Sequence, residues 1–316
     1  ELIMLSTFLH NLYAKIIVFL GAVFVIALIV IFTGDNPSGS IAEIEDNNIY
    51  RLDAFKNISL EAKAAFVWDV NKQKALFTLN EQVQLPLASL TKLMTALIAI
   101  ELLPESSVIM IDAEALVEEG DSGLIANERW NLSDLLRFTL ITSSNDGASA
   151  VASIAGLLKT RFPAHDGEGR IAFVKAMNEK VREIGLNQTY FINPTGLDTN
   201  GDIGGGYGSA RDTAKLLEYA VVSAPEIIDA TRYNALQFIS LSDISHTATN
   251  TNSSINKVPG LIASKTGLTD LAGGNLVIAF DAGINHPIII SVLGSTQEGR
   301  FRDVEKLVTA SLMSLD

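Results

Sequence analysis

Apolar and polar positions divide the chain into a long uncharged run, a polar stretch and a region of mixed patterns. Residues 16–32 are apolar and uncharged, which is near the short end of the ~17–25 residues that span a bilayer. Residues 34–56 are polar and contain two glycines and a proline, a composition typical of a linker. The pattern predicts a membrane anchor within residues 1–33, a linker over 34–56 and a globular domain over 57–316.

The apolar run favours an uncleaved anchor over a cleaved signal peptide. The apolar region of a signal peptide usually has ~7–15 residues and precedes a small-residue cleavage site. This run is longer, and residues 33–37 contain no such site. Lys15 precedes the run and acidic residues follow it, so the positive-inside rule places the N-terminus in the cytoplasm. We therefore expect a single transmembrane helix, with the rest of the chain outside the cytoplasm.

The remaining chain alternates between strand-like and helix-like periods. Short runs of residues that favour β-structure predict strands over residues 64–70, 74–79, 261–266, 275–280 and 287–293. Apolar residues at helical spacing predict a helix from about residue 89 and further helices over 132–141, 148–159, 171–184, 210–222 and 300–315. This order predicts an α/β domain whose sheet joins strands from both ends of the chain.

Composition excludes several kinds of chemistry. The net charge of −13 argues against binding nucleic acid. The absence of cysteine excludes thiol catalysis and cysteine metal sites. The four histidines lack the spacing of a metal motif, so we interpret them as surface or turn residues and expect neither a metal nor another cofactor. They are His10, His165, His246 and His286.

Ser89 and Lys92 form a candidate nucleophile and base. They stand at positions i and i+3 of the helix predicted from residue 89, so the ammonium can reach the hydroxyl. A free serine is a poor nucleophile and needs an adjacent base. Lys92 can be that base only when neutral, and lowering a lysine pKa from ~10.4 to ~7 costs about 4.6 kcal/mol. Burial and a like charge both act in this direction, and Lys265 is the candidate like charge.

The stretch Ser143-Ser144-Asn145 follows the helix predicted over residues 132–141. Ser143 can relay a proton between Lys92 and a leaving group. Asn145 can hold the Lys92 side chain and a substrate carbonyl. A polar helix stop would have the same composition, so the motif gains meaning only together with the others.

The stretch Lys265-Thr266-Gly267 stands at the end of the strand predicted over residues 261–266. Lys265 supplies positive charge, and Thr266 can hydrogen-bond a carboxylate. Gly267 has no side chain, so a substrate backbone can approach. A strand that simply ends in a glycine turn is the alternative interpretation.

A second match shows how little a bare pattern proves. Ser254-Ile255-Asn256-Lys257 satisfies both Ser-x-x-Lys and Ser-x-Asn. It lies in a polar run just before Pro259 and Gly260, with no predicted helix to fix its geometry. We assign it to a loop and reject it as the active site.

The three motifs in this order resemble the signature of penicillin-binding proteins and serine β-lactamases. Further stretches extend the resemblance to the serine-type D-Ala-D-Ala carboxypeptidases, the low-molecular-weight penicillin-binding proteins, over residues 57–316. It implies a β-lactamase/transpeptidase-like fold, with an antiparallel sheet flanked by helices and a helical subdomain. The supporting stretches are Leu85-Pro86-Leu87-Ala88, Asn193-Pro194-Thr195-Gly196-Leu197, Ser209-Ala210-Arg211-Asp212, Thr249-Asn250-Thr251-Asn252, Leu268-Thr269-Asp270 and Ala272-Gly273-Gly274.

The resemblance also implies an activity. Ser89 would be acylated by a peptidoglycan stem peptide ending in D-Ala-D-Ala, releasing D-Ala, and water would hydrolyse the acyl-enzyme. β-Lactams would acylate the same serine. The backbone N–H groups of Ser89 and Leu268 would form the oxyanion hole, and Thr266 and Gly267 would bind substrate. The protein would sit on the outer side of a bacterial cytoplasmic membrane.

Two departures from the family pattern keep other activities in view. The family commonly has glycine where this chain has Ser144, and often an aromatic residue where it has Leu268. A class A-like β-lactamase normally has aspartate at the middle of the second motif, which Ser144 disfavours. A D,D-endopeptidase that cuts crosslinks uses the same residues and stays open. An inactive wall-binding module predicts no adduct with penicillin.

Overall fold

The computed structural model describes residues 54–160, 167–199 and 201–315. The anchor predicted within residues 16–32 lies outside these ranges, as does nearly all of the predicted linker. Within the described ranges, every helix is too short or too polar to span a bilayer.

Strands and helices follow one another along the described chain in an α/β order. The strands are β1 (Ala64–Asp69), β2 (Lys74–Leu79), β3 (Leu85–Pro86), β4 (Val108–Met110), β5 (Arg129–Asn131), β6 (Tyr190–Phe191), β7 (Gly206–Gly208), β8 (Ala235–Ile239), β9 (Ser245–Thr249), β10 (Leu261–Thr269), β11 (Gly273–Asp281) and β12 (Pro287–Ser295). The α-helices are α1 (Lys92–Leu102), α2 (Leu132–Thr142), α3 (Asn145–Leu157), α4 (Glu168–Glu183), α5 (Ala210–Ser223), α6 (Pro225–Asp229) and α7 (Gly299–Leu315).

The main sheet combines strands from both ends of the chain, as the sequence predicts. Its spatial order is β10-β11-β12-β1-β2, and all four pairings are antiparallel. The register of the central pair places Ala64 opposite Leu293 and Asp69 opposite Ile288. Strand β10 is therefore an edge strand, with one side free for other contacts.

Both faces of the sheet are buried, because side chains alternate between faces along each strand. In β1, Ala64 and Phe66 belong to the core beneath the helical region. Ala65 and Val67 belong to a second core, which is closed by α7. The fold is thus two hydrophobic layers separated by one sheet.

Three boundaries differ from the predictions, and each lies at a polar motif. Residues 88–91 form a 3₁₀ turn, so α1 begins at Lys92 and not at residue 89. Strand β10 continues to Thr269, so the Lys-Thr-Gly motif lies inside the strand and not at its end. Ser143 ends α2, but Asn145 already begins α3. Polar residues interrupt the apolar pattern at these points, so the pattern alone does not show where the elements begin and end.

The interpretation of His246 as a surface or turn residue is wrong. His246 lies in β9, is buried, and has its Nε2 2.6 Å from Glu128 Oε1. Its ring packs 5.1 Å from the ring of Trp130. A carboxylate partner and an aromatic neighbour together make the burial of this polar ring favourable. His286 does lie by a turn, where its Nε2 is 2.9 Å from Asp69 Oδ2; His10 and His165 lie outside the described residues.

Candidate active site

The turn that carries Ser89 is held in an uncommon backbone conformation. Ala88 has φ of 49°, a left-handed value that costs a non-glycine residue about 1–3 kcal/mol. Neighbouring strands hold the turn in place. Asn275 Nδ2 of β11 donates to the backbone oxygens of Pro86 and Leu87 at 3.0 and 3.1 Å. This strain is localised immediately before the candidate nucleophile.

A second loop packs beneath the same turn. Gly196 has φ of +82°, and a Cβ there would lie 1.9 Å from the Ala88 oxygen, so only glycine fits. Asn193 shapes this loop: its Oδ1 accepts the Gly196 N–H at 2.7 Å and its Nδ2 donates to the Leu197 oxygen at 2.9 Å. The loop thereby brings the carbonyl of Thr195 to the floor of the site.

Lys92 is buried and faces three oxygen atoms. Its Nζ donates to Ser89 Oγ at 2.9 Å, to Asn145 Oδ1 at 2.6 Å and to the Thr195 backbone oxygen at 2.7 Å. An ammonium has three hydrogens and no acceptor, so the three partners match it. The sequence prediction that Ser89, Lys92 and Asn145 lie together agrees with this geometry.

Burial sets the protonation of Lys92. Burial lowers the pKa of this lysine to about 7, against the opposing charges of Glu118 and Asp146. For Lys265, burial is again the main cause, and the charges of Lys92 and Arg300 add to it; the pKa of Lys265 lies well below its ordinary value. The charge of Lys92 thus contributes to the lowered pKa of Lys265, and the expected effect of Lys265 on the pKa of Lys92 stays a prediction.

Ser143 and Lys265 meet on the opposite side of the site. Lys265 Nζ donates to Ser143 Oγ and to the Thr266 backbone oxygen, both at 2.9 Å. Ser143 has φ of 62° at the end of α2, which turns its side chain back toward β10. The second and third motifs are thus joined by one hydrogen bond across 122 residues of sequence.

The free edge of β10 presents the backbone N–H of Leu268. Backbone N–H groups alternate between the two edges of a strand. Ser264 N–H points away from β11, since it donates to Thr231 Oγ1 at 3.0 Å. Thr266 and Leu268, two and four residues later, present their N–H groups on the same free edge. A Cβ on Gly267 would lie 3.3 Å from the Ser89 nitrogen, so this edge lies directly beside the Ser89 turn.

The sequence profile of one family spans most of the described chain. The profile of D-alanyl-D-alanine carboxypeptidase matches residues 52–297, more than half of the chain. The chain belongs to the D-alanyl-D-alanine carboxypeptidase family. All three motifs lie inside the matched range.

Relatives similar in sequence carry two kinds of name. D-alanyl-D-alanine carboxypeptidase DacF of Bacillus subtilis (strain 168) is 30% identical over 256 residues, which are 78% of this chain and 61% of the relative. A D-alanyl-D-alanine endopeptidase of Escherichia coli (strain K12) is 28% identical over 257 residues, 78% of this chain and 76% of that one. The Bacillus relative is thus covered over less than two thirds of its length.

A solved structure identifies the fold. Penicillin-binding protein D2 of Listeria monocytogenes, in its cefotaxime-bound form, matches with a TM-score of 0.66 at 25% identity, over 82% of this chain and 99% of that one. The predicted α/β fold of the penicillin-binding and transpeptidase type is confirmed.

Several polar contacts in this family member escaped the sequence analysis. Thr195 and Glu119 contribute backbone oxygens, to Lys92 and Asn145 respectively, and backbone groups leave no side-chain signal. Arg300 is buried and donates from Nη1 to the Gly267 oxygen at 2.7 Å. The sequence did contain a signal for Arg300. A cation in the first turn of a helix opposes the helix dipole, so its presence there suggests a specific partner.

Thr251 also lies at the third motif. Its hydroxyl oxygen is 2.5 Å from Thr266 Oγ1, and its N–H donates to the Ile141 oxygen of α2 at 3.2 Å. The stretch around Thr251 supported the family resemblance, but nothing in the sequence indicated that it reaches the Lys-Thr-Gly strand.

The second Ser-x-x-Lys match lies elsewhere in the carboxypeptidase fold. Ser254 Oγ and Lys257 Nζ both donate to Glu305 Oε1 of α7, at 2.7 and 2.9 Å. Residues 255–257 form a 3₁₀ turn. The Glu305 carboxylate holds both ends of this stretch. Its serine has a carboxylate partner rather than a neutral amine, which agrees with its rejection as a nucleophile site.

Proposed function

We propose that this protein is a serine D,D-carboxypeptidase that removes the terminal D-Ala from peptidoglycan stem peptides. One observation carries the proposal: Lys92 Nζ lies 2.9 Å from Ser89 Oγ, in a buried position that lowers the lysine pKa to about 7. A base is most effective when its pKa lies near the working pH. The family membership and the carboxypeptidase name of the Bacillus relative support the same activity.

Two carbonyl groups orient the neutral amine of Lys92. Asn145 Oδ1 and the Thr195 oxygen accept hydrogen bonds from Nζ and have no hydrogen to donate. In the neutral amine they hold the two remaining hydrogens, so the lone pair faces Ser89 Oγ. Ser89 then donates its proton to Lys92 as its oxygen attacks the carbonyl carbon of the penultimate D-Ala.

The tetrahedral intermediate places a negative charge on the former carbonyl oxygen. In this proposal, the N–H groups of Ser89 and Leu268 receive it. Backbone donors of this kind, fixed before the reaction, are worth a factor of about 10²–10³ each in rate. The substrate then lies along the free edge of β10, next to Gly267, where a side chain would block it.

The leaving D-Ala needs a proton on its nitrogen and a partner for its carboxylate. In this proposal Ser143, whose Oγ accepts a hydrogen bond from Lys265 Nζ, relays to the amine the proton that Lys92 took from Ser89, so Lys92 is neutral again. Thr266, with Lys265 behind it, binds the carboxylate, whose charge favours the protonated form of Lys265. After D-Ala departs, Lys92 takes a proton from water, the hydroxide attacks the ester, and Ser89 regains its hydrogen.

The direct test is release of D-Ala from a peptide ending in L-Lys-D-Ala-D-Ala. We expect release by the wild type, none by Ser89→Ala and wild-type release by Ser254→Ala, the matched control in the second Ser-x-x-Lys match. The same three variants exposed to penicillin should give an adduct only where Ser89 is present. Release that persists in Ser89→Ala would overturn the assignment.

An endopeptidase activity is the second candidate, because the Escherichia coli relative carries that name. A crosslinked muropeptide dimer and the linear peptide, offered in equal amounts, separate the two. Faster cleavage of the dimer favours the endopeptidase. Rapid multiple turnover of penicillin would favour a β-lactamase, and no adduct of any kind would favour an inactive wall-binding module.

We further propose that residues 16–32 anchor the protein in a bacterial cytoplasmic membrane, with the catalytic domain outside. The support is the uncharged apolar run and the single lysine before it. Full-length protein expressed in bacteria should stay with the membrane in alkaline carbonate and dissolve in detergent. Extraction by carbonate alone would exclude the anchor.

A further inference from the structure

A loop segment, residues 118–123, lies against the second motif and forms three hydrogen bonds with residues 144–146. Ser122 Oγ is 2.7 Å from Ser144 Oγ and 2.9 Å from Asp146 Oδ2. The Glu119 backbone oxygen accepts a hydrogen bond from Asn145 Nδ2 at 2.6 Å. The 118–123 segment is thus hydrogen-bonded to three consecutive residues, 144–146.

Counting hydrogens gives the direction of these bonds. Ser122 has one hydroxyl hydrogen, which it donates to the Asp146 carboxylate. The hydroxyl hydrogen of Ser144 must therefore go to Ser122 Oγ. Ser144 Oγ also accepts the Gly147 N–H at 2.9 Å, capping α3. Ser144 and Asp146 are buried, so these bonds are shielded from competing water.

The 118–123 segment reaches Lys92 through Asn145. The amide of Asn145 is held at both ends: Nδ2 by the Glu119 oxygen and Oδ1 by Lys92 Nζ. A shift of the segment would move Glu119 and release the amide. Asn145 could then rotate and leave Lys92 with only the Thr195 oxygen to orient it.

We propose that Ser144 is a positioning residue, which through Ser122 holds the 118–123 segment against the second motif and so fixes Asn145 and the lone pair of Lys92. The inference rests on the proposed function, since it assigns Lys92 the role of base. The tether needs a hydroxyl at position 144. It is absent from family members that have glycine there, so it is a feature of this chain's own sequence.

Four variants separate the tether from the helix cap. Ser122→Ala breaks the tether and leaves the Gly147-to-Ser144 cap intact. Ser144→Ala removes both, and Ser122→Ala/Ser144→Ala completes a double-mutant cycle. Ser144→Thr restores a hydroxyl. Thr160→Ala is the matched control, because within the described residues its hydroxyl bonds to the Leu157 oxygen near the other end of α3.

The acylation rate constant with a fluorescent penicillin is the first readout. We expect about tenfold slower acylation in Ser122→Ala and in Ser144→Ala, with a loss in the double variant well below the product of the two, since both remove the Ser122–Ser144 hydrogen bond. Ser144→Thr should stay within about threefold of the wild type. The midpoint of the pH profile should rise in both single alanine variants, because a freed Asn145 lets water reach Lys92. A merely structural role would not move that midpoint.

Hydrogen exchange of the 118–123 backbone, followed by mass spectrometry, gives a readout that needs no activity. It should rise in both Ser122→Ala and Ser144→Ala and not in Thr160→Ala. Wild-type acylation and pH profile in Ser122→Ala, or losses that multiply in the double variant, would overturn the tether. A wild-type protein that forms no adduct, but whose segment exchanges faster in the variants, would instead refute the proposed function.

Discussion

Three oxygens around one buried amine explain how a lysine can act as a base here. Burial disfavours the charged form of Lys92 and so lowers its pKa. The charges of Glu118 and Asp146 raise the pKa again, but only in part. Asn145 and Thr195 fix its orientation. In the proposed mechanism, these two hydrogen bonds orient the lone pair of Lys92 toward Ser89.

Acylation of Ser89 should therefore become faster as pH rises, because it needs Lys92 in its neutral form. The folded pKa of Lys92 is about 7, so the amine is charged and inactive below that value and neutral above it. The acylation rate constant should rise as pH increases through about 7 and level off above 8. Stopped-flow measurement with a fluorescent penicillin gives the profile. Lys257→Ala, in the second Ser-x-x-Lys match, should leave it unchanged, whereas a rate that falls as pH rises through 7 would contradict the lysine-base account.

At the scale of elements, strand β10 and the turn at Ser89 form the site by close backbone approach. Gly267 lies inside β10 and pairs with Asn275 of β11. Arg300 of α7 donates a hydrogen bond to the Gly267 carbonyl. A Cβ on Gly267 would lie 2.8 Å from the Leu87 oxygen and 3.2 Å from Ala88 Cβ. The glycine is needed for the contact between two elements as well as for access of a substrate.

Gly267→Ala should separate folding from acylation. The added methyl group pushes β10 away from the Ser89 turn at a cost of about 1–3 kcal/mol, so the melting temperature falls moderately while acylation by penicillin falls by at least about tenfold. Gly283→Ala is the matched control, since the only atom within 4 Å of its added Cβ is His286 Cβ, at 4.0 Å. Acylation at the wild-type rate in Gly267→Ala would contradict this account, because it would show that acylation does not need the close contact between β10 and the Ser89 turn.

The sequence predicted the longer elements and missed the short ones. Strands β1, β2, β11 and β12 have clear apolar patterns and were placed within about two residues. In β10 the pattern stops at Lys265 because buried polar residues continue the strand. The hairpin β8–β9 and the two- and three-residue strands β3 to β7 lack a period long enough to detect. Strands β3 to β7 also depend on partners about 15 or more residues away in sequence.

At the scale of the whole molecule, α7 ties together the two ends of the chain that the structure describes, residues 54–315. Asp303 is fully buried, and its carboxylate accepts the N–H groups of Glu61 and Ala62 at 3.0 and 2.9 Å. It also accepts the hydroxyl of Ser295 at 2.8 Å. These contacts join the approach to β1, the end of β12 and the closing helix.

Asp303→Ala should destabilise the catalytic domain without touching the chemistry. Three buried donors lose their acceptor, which costs about 3–5 kcal/mol in the free energy of unfolding. Urea denaturation of residues 54–316, with and without the Asp303→Ala substitution, measures the loss in the free energy of unfolding. Glu179→Ala, an exposed carboxylate on α4, is the control and should change stability by less than about 0.5 kcal/mol. Equal effects of the two substitutions would contradict the structural role of Asp303.

The convergence of the three motifs could be predicted only as a family expectation. Spacing placed Lys92 near Ser89, because both lie within one turn of a helix. Nothing in the sequence alone brings Asn145 to Lys92 or Lys265 to Ser143, which are separated by 53 and 122 residues. Those contacts depend on how α2, α3 and β10 pack. The backbone oxygens of Thr195 and Glu119 could not be predicted, since any residue carries one.

The central claim is that Ser89, activated by Lys92, forms the acyl-enzyme. Intact-mass spectrometry after exposure to penicillin, followed by peptide mapping, tests it most directly. We predict one stoichiometric adduct on the peptide that contains Ser89 in the wild type and in Ser254→Ala, and none in Ser89→Ala. An adduct of the same mass that persists in Ser89→Ala would contradict the account.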